Sequence, residues 1–419
     1  MDSKIYYGEY TLKHWIELML KQNIELPDYQ RSFVWREKDI KRLIKSLNDG
    51  QFVQPVTIAH YNDGAECKNL ILDGQQRLTS ILLTFLGYMP NKEKFASSTT
   101  LSTGDDSTED DDSGVDTEKK SIGWTFSELL DADRRKNDRE KIIARIESSD
   151  KYIKLKDIPI DKDFIDFLEN TFLGFSYIIP NTSDVKIAQQ FFSNLFRNMN
   201  YLGMKLSPLE SRRSLYYLNS DYKNYFEGKT KENHDILCGI GIVENMQVCQ
   251  IDFVRYLSIL SQYTITTNVN KVLVGYSAYS SRENYYADYV AYIIGLEQND
   301  RVDKFDGFNM EKIFVDKCWQ SRFEQIEGCV LSIRERIGLD KKNAFVSWID
   351  ADYWLFGLLY WVLFENSILS FEERLFKDIS AMITNKKSEG YYAKTPNRLG
   401  NLRQRLQDSI DLYKPYAKK

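Results

Sequence analysis

Hydrophobic positions along the first ninety residues alternate between two periods. In "TLKHWIELML" (Thr11 to Leu20), Leu12, Trp15, Ile16, Leu18 and Met19 have the spacing of a helix. In "KDIKRLIKSLNDG" (Lys38 to Gly50), Ile40, Leu43, Ile44 and Leu47 do the same, and Gly50 supplies a stop. "QPVTIAHY" (Gln54 to Tyr61) is rich in strand formers, "NDGAECKN" carries a turn signal, and "LIL" (Leu70 to Leu72) reads as a short buried strand. Then Leu78, Ile81, Leu82, Phe85, Leu86 and Met89 form a continuous helical stripe. The N-terminal ninety-odd residues are thus expected to be a compact mixed α/β unit.

From about Ser97 to Ser121 the apolar period disappears. The segment is rich in Ser, Thr, Asp and Gly and is expected to be a disordered loop, either a solvated spacer or an acidic mimic competing for a basic surface. Beyond residue 124 the pattern is mostly helical. "AQQFFSNLFRNMNYLG" (Ala188 to Gly203) is amphipathic, and "SPLESRRSLYYL" opens with Ser207 as N-cap, Pro208 at the first helical position and Glu210 completing a capping box. Further helices are expected in "QIDFVRYLSILSQY", in "EKIFVDKCWQSRFEQIEGCVLSIRERI" and in "RLGNLRQRLQDSIDLY". No fixed-period repeat is present. The expected class is α+β. A mixed domain over 1–96 precedes the acidic loop 97–122, a helical continuation over 123–260 and a helical domain over 261–419.

Charge changes this picture little. The 56 basic and 61 acidic residues give a net of −5, but Gly104 to Lys120 alone carries eight acids and two lysines. The remainder is near neutral, so nucleic-acid binding is neither favoured nor excluded. The five cysteines are scattered without a CxxC pair, which suits free thiols in a reducing cytoplasm. The start of the chain does not read as a signal peptide. The longest apolar run, Tyr353 to Phe364, is 12 residues, too short to span a bilayer and expected to be buried helix. The protein is therefore expected to be cytoplasmic, with no membrane partner.

Two constellations carry possible chemistry. "DGQQR" (Asp73 to Arg77) stands between the strand-like and helix-like runs. If the helix starts near Gly74, its first-turn N–H groups, the amides of Gln75 and Gln76 and the Arg77 guanidinium make a phosphate site. Asp73 would cap the helix, orient Arg77 or hold Mg²⁺. In the bland alternative Asp73 only caps, Arg77 pairs with an acid elsewhere and the glutamines face solvent. The second is "IELPDYQRSFVWREKDI" (Ile24 to Ile40). There Arg31 and Arg36 would meet phosphates and Tyr29, Phe33 or Trp35 a base, or else Phe33 and Trp35 are core. "CGIGIVEN" reads as a tight turn, not a phosphate loop, and no P-loop, GxGxxG or GxSxG is present.

Taken in order, "LPDYQRSFVW", "DIKRLIKSLNDG", "QPVTI" and "LILDGQQRLTSIL" resemble the N-terminal domain of the GmrSD-type restriction proteins. A third segment is similar to that family's Phe-x-x-x-Asn-x-x-Gly-x-x-Leu-Ser pattern, on Phe196, Asn200, Gly203, Leu206 and Ser207. "QIDFVRYLSIL" is similar to a later Asp…Arg helix. The resemblance spans roughly residues 10 to 260. It implies a ParB/sulfiredoxin-like fold that binds and hydrolyses nucleoside triphosphates with Mg²⁺ in an antiphage, modification-dependent restriction system. By the resemblance, Asp73, Gln76 and Arg77 would be catalytic, with Asp73 also on the metal. Tyr29, Gln30, Arg31, Gly74, Gln75 and Asn200 would hold the nucleotide.

The complete systems also carry an HNH nuclease. His14, His60 and His234 are the histidines of this chain, and none sits in that motif's context. "NRLGNL" reads as an ordinary helix start. A separate nuclease chain, DNA and further copies of the protein are the partners the resemblance implies or allows. The competing expectation is a non-catalytic DNA- or protein-binding module on the same fold; a weaker one is a nuclease acting through the ParB-like domain itself.

Overall fold

The structure is a computed structural model. It describes residues 3–27, 33–62, 67–91, 93–95, 100–102, 124–182, 184, 187–188, 190–195, 208–230, 241–244, 247–274, 279–296, 304–337, 348–389 and 398–418. The chain divides into two compact units, one of residues 1–97 and 116–218, the other of 98–115 and 219–419. The second unit's long segment thus begins directly after Leu218. The fold is α+β: a mixed N-terminal sheet with helices, followed by a mostly helical second half.

The first unit is built on a four-stranded sheet in the order β1–β7–β2–β3. β1 is Ser3–Thr11, β2 Val56–Asn62, β3 Cys67–Asp73 and β7 Phe172–Pro180. β1 and β3 run antiparallel to their neighbours, while β2 and β7 are parallel, with Val56 beside Phe175. The expected hairpin is the β2–β3 pair, with a register shift between Thr57 and Ile58. On one face lie α1 (Leu12–Leu20), α2 (Glu37–Asn48) and α3 (Gln75–Leu86). Of the residues expected from sequence, Leu12, Trp15, Ile16 and Met19 of α1, and Ile40, Leu43, Ile44 and Leu47 of α2, are buried, while Leu18 is only partly buried. The Thr11 hydroxyl accepts from the His14 amide at 3.2 Å and so caps α1. On the opposite face Ala59, Tyr61, Leu70, Leu72 and Ile178 pack with Phe192. The central strands are therefore covered on both sides.

The stripe from Leu78 runs one turn short of expectation. α3 ends at Gly87, whose φ of 80° is a left-handed stop, so Met89 lies on β4 (Tyr88–Pro90), not on the helix. β4 pairs with β6 (Tyr152–Lys154). α4 (Arg139–Glu147) and α5 (Phe164–Asn170) follow in sequence, and α6 (Pro208–Ser214) starts at the expected proline. Ser207 lies outside the described residues.

In the second unit, β5 (Thr100–Ser102) pairs parallel with β9 (Gln247–Ile251), which forms a hairpin with β8 (Gly241–Glu244). Three residues of the segment expected to be structureless thus form a strand. Its acidic run lies outside the described residues. The longer helices are α7 (Ser220–Glu227), α8 (Phe253–Thr266), α9 (Tyr279–Ile294), α10 (Trp319–Ile337), α11 (Trp348–Leu359), α12 (Glu373–Ser388) and α13 (Leu399–Tyr413). The single helix expected from Glu311 is broken. Asp316 and Lys317 take φ of 50° and 57°, and α10 begins only at Trp319. Phe314 and Trp319 are five residues apart, off the helical period, yet both pack on Tyr225. The break lets both rings point inward.

The apolar run from Tyr353 is buried as expected, within α11 and a π turn at Tyr360–Phe364. α11 and α13 touch through Gly357. A Cβ there would sit 2.1 Å from the Ser409 carbonyl oxygen, and the Gly357 N–H donates to the Ser409 hydroxyl at 2.7 Å. Among the described residues no helix is long and apolar enough to cross a membrane.

At the centre of this unit Asp352 is fully buried. Arg255 donates to both its oxygens, at 2.6 and 2.8 Å. Tyr256 adds a hydroxyl at 2.8 Å and Arg405 an Nε–H at 2.9 Å. The Asp…Arg helix singled out in the sequence is α8: Asp252 caps it through the Val254 amide, and Arg255 reaches Asp352.

Candidate functional site

The DGQQR stretch is a strand–turn–helix junction in the first unit. β3 ends at Asp73, Gly74 takes φ 94°, and α3 begins at Gln75. The left-handed turn is one reason for glycine here. Space is the other, since a Cβ on Gly74 would lie 2.9 Å from Val56 Cγ2 and 3.2 Å from Val56 Cα. The turn is therefore packed directly against the start of β2.

Asp73 does not cap α3; the N-cap is Gly74, with no side-chain bond. Instead the carboxylate accepts from Arg77 at 2.7 Å, one helical turn on. The Arg77 guanidinium also donates to the Pro55 carbonyl and to Gln54 Oε1, both at 3.3 Å. Its Nε is buried with no partner among the described residues. Arg77 thus clamps the segment leading into β2 against the junction, and its side chain is only 13% exposed while that of Asp73 is 53% exposed. The open carboxylate is held at a fixed place by a nearly closed arginine.

The glutamines are not solvated. Both are buried, and Gln76 Oε1 accepts from the Val34 amide at 3.0 Å and the Trp35 amide at 3.4 Å. This reaches the second sequence constellation. On its other flank, Glu25 forms a parallel bridge with Leu70. The Glu25 amide donates to the Asn69 carbonyl and the Ile71 amide to the Glu25 carbonyl, each at 2.9 Å. The chain before and after Tyr29, Gln30 and Arg31 is therefore fastened to the same β3–α3 unit. Those three residues, and Phe196, Asn200, Gly203, Leu206 and Ser207 of the third segment, lie outside the described residues. Phe33 is wholly buried and packs edge-on against Trp124, and Trp35 packs partly buried on the same core, so the core reading holds for both.

No group of three or more His, Cys, Asp or Glu suited to a metal occurs among the described residues. Asp73 alone offers one part-open carboxylate. That suits a Mg²⁺ whose other ligands are water and phosphate oxygens, and not a cage made by protein alone. Burial pushes the Cys329 thiol up to about 12, which leaves it a poor nucleophile. Gln54 and Pro55 were not singled out in the sequence. The cue available there was a glutamine–proline pair directly before a strand.

With this geometry in view, the model of the GmrSD restriction endonuclease N-terminal domain matches residues 14–217. That stretch belongs to the GmrSD N-terminal domain family. The match ends at residue 217, one residue before the first unit ends at Leu218. The chain is also 39% identical over 89 residues to an uncharacterized protein of Methanocaldococcus jannaschii, covering 16% of this chain and 15% of that protein. The chain thus spans about 15% of the length of this curated relative.

Proposed function

We propose that the GmrSD N-terminal domain binds a nucleoside triphosphate with Mg²⁺ at the Asp73–Arg77 junction and hydrolyses it. It would act as sensor or effector subunit of an antiphage, modification-dependent restriction system. One observation carries this reading. Both sequence constellations converge on one junction, because β3 holds the chain at Glu25 and Gln76 holds it at Val34.

In this reading Asp73 takes Mg²⁺ or the attacking water, since its carboxylate is oriented by Arg77 and open to solvent. Gln76 is a positioning residue, acting through the Val34 and Trp35 amides. Gln75 and Gly74 shape the turn. Tyr29, Gln30, Arg31 and Asn200 supply the nucleotide contacts by family analogy, with Arg31 on phosphate. Arg77 contributes its charge to the phosphates while keeping its protein acceptors.

A second reading follows from those same acceptors. With Asp73, Pro55 and Gln54 all bonded to Arg77, the junction also suits a binding module in which DGQQR is structural. Phosphate release from a nucleotide panel with Mg²⁺, with and without DNA, separates the two. We expect turnover in the wild type and a loss of roughly 100-fold or more in Asp73→Ala. Turnover unchanged in Asp73→Ala would remove that residue from the chemistry. No turnover with any nucleotide would favour the binding module.

A further inference from the structure

β1 is the edge strand of the four-stranded sheet, and its six residues from Lys4 to Glu9 are exposed. It carries Ile5, Tyr6 and Tyr7 at 46%, 51% and 77% exposure, and Phe172, opposite Thr11 on β7, is also half exposed. Proteins normally blunt such an edge with prolines, bulges or short strands. β1 has none of these: it is nine residues long, contains no proline and pairs with β7 without a register shift. Its one lysine, Lys4, stands near one end. A long, regular, aromatic edge of this kind is a template for a further strand.

We propose that β1 pairs antiparallel with β1 of a second copy of this chain, about a two-fold axis at Tyr7, joining the two sheets into one. The strand is self-complementary in that register. A two-fold perpendicular to the sheet requires that residues facing each other share a face, as Tyr7 does with the partner's Tyr7. Tyr6 then faces the partner's Gly8. Within this chain the Phe175 ring lies across Gly8, 2.8 Å from where a Cβ would be, so the incoming Tyr6 meets an aromatic surface. Lys4 faces the partner's Tyr10, and Ile5 the partner's Glu9.

The test is sedimentation velocity on the full chain, wild type against Tyr7→Lys, with circular dichroism to confirm folding. Tyr7 is exposed enough for the change to leave the fold intact, while the axis sets the two new charges face to face. We expect a two-chain mass for the wild type at tens of micromolar and a one-chain mass for the variant. Register is read by oxidation in a Cys67→Ser background. Tyr7→Cys should cross-link, because facing Cα atoms in such a pair are about 4.5–5.5 Å apart, within disulfide reach. Lys4→Cys should not, because the two copies of position 4 would be about 20 Å apart. A one-chain wild type at every concentration, a Tyr7→Lys that still pairs, or equal cross-linking at both positions overturns the proposal.

Discussion

Asp352→Ala is expected to destabilise the second unit by about 3–5 kcal/mol, the cost of removing one partner from a buried ion pair. The substitution takes away the carboxylate that Arg255 and Arg405, both buried, share. Replacing all three by apolar residues of similar volume should cost less, since the two buried guanidinium charges are removed together with their shared carboxylate. Denaturant unfolding of the two variants separates these outcomes. Equal losses would show that the triad stabilises by shape and not by charge.

Acid tests the same site. Burial by itself would raise the Asp352 carboxyl, but the charges of Arg255 and Arg405 and the hydrogen bonds it accepts outweigh burial, and it is held below its ordinary value. A carboxyl lowered in the fold contributes stability that is complete above its unfolded value, about 3.9, and lost as pH falls through the lower folded value. Midpoints should therefore drop below about pH 4 in the wild type, and Asp352→Ala should lack that component.

Gly74→Ala is the second large effect, and it acts on the candidate site itself. A left-handed conformation costs a side-chain-bearing residue on the order of 1–3 kcal/mol. Here the new methyl also meets Val56, whose Cα lies 3.2 Å away and belongs to the sheet. Either β2 or the turn must shift, and with it the Arg77 clamp on Pro55 and Gln54. We expect a loss of at least about 2 kcal/mol together with loss of nucleotide binding, read by urea unfolding and by ligand titration. A variant with wild-type stability would mean the turn is softer than its packing implies.

Legibility followed the range of the interactions. α1, α2 and the start of α3 were readable because their stripes and stops are local, as in Leu12, Trp15, Ile16 and Met19. The β2–β3 hairpin was readable from its turn signal. β1 and β7 were not recognised as strands, since β1 finds its partner some 170 residues on and its exposed residues leave no clean alternation. At the site, the turn at Gly74 was legible and the burial of its neighbours was not. Gln76 is buried because it serves the amides of Val34 and Trp35, a distant demand its own sequence does not announce. Asp73 suited a cap by type, but Gly74 took that place and Arg77 took the carboxylate. Asp352 is unremarked in the sequence just before the apolar run, because its partners Arg255 and Arg405 lie on other helices.

The most direct measurement is calorimetric titration of Mg²⁺-nucleotides into the full chain, comparing wild type with Arg31→Ala and Arg77→Ala. The account predicts that one or more triphosphates bind the wild type, and that each substitution weakens binding about tenfold or more, the loss of a charge-assisted contact. Absence of binding to the wild type, or unchanged affinity in both folded variants, would contradict a nucleotide site at the Asp73–Arg77 junction.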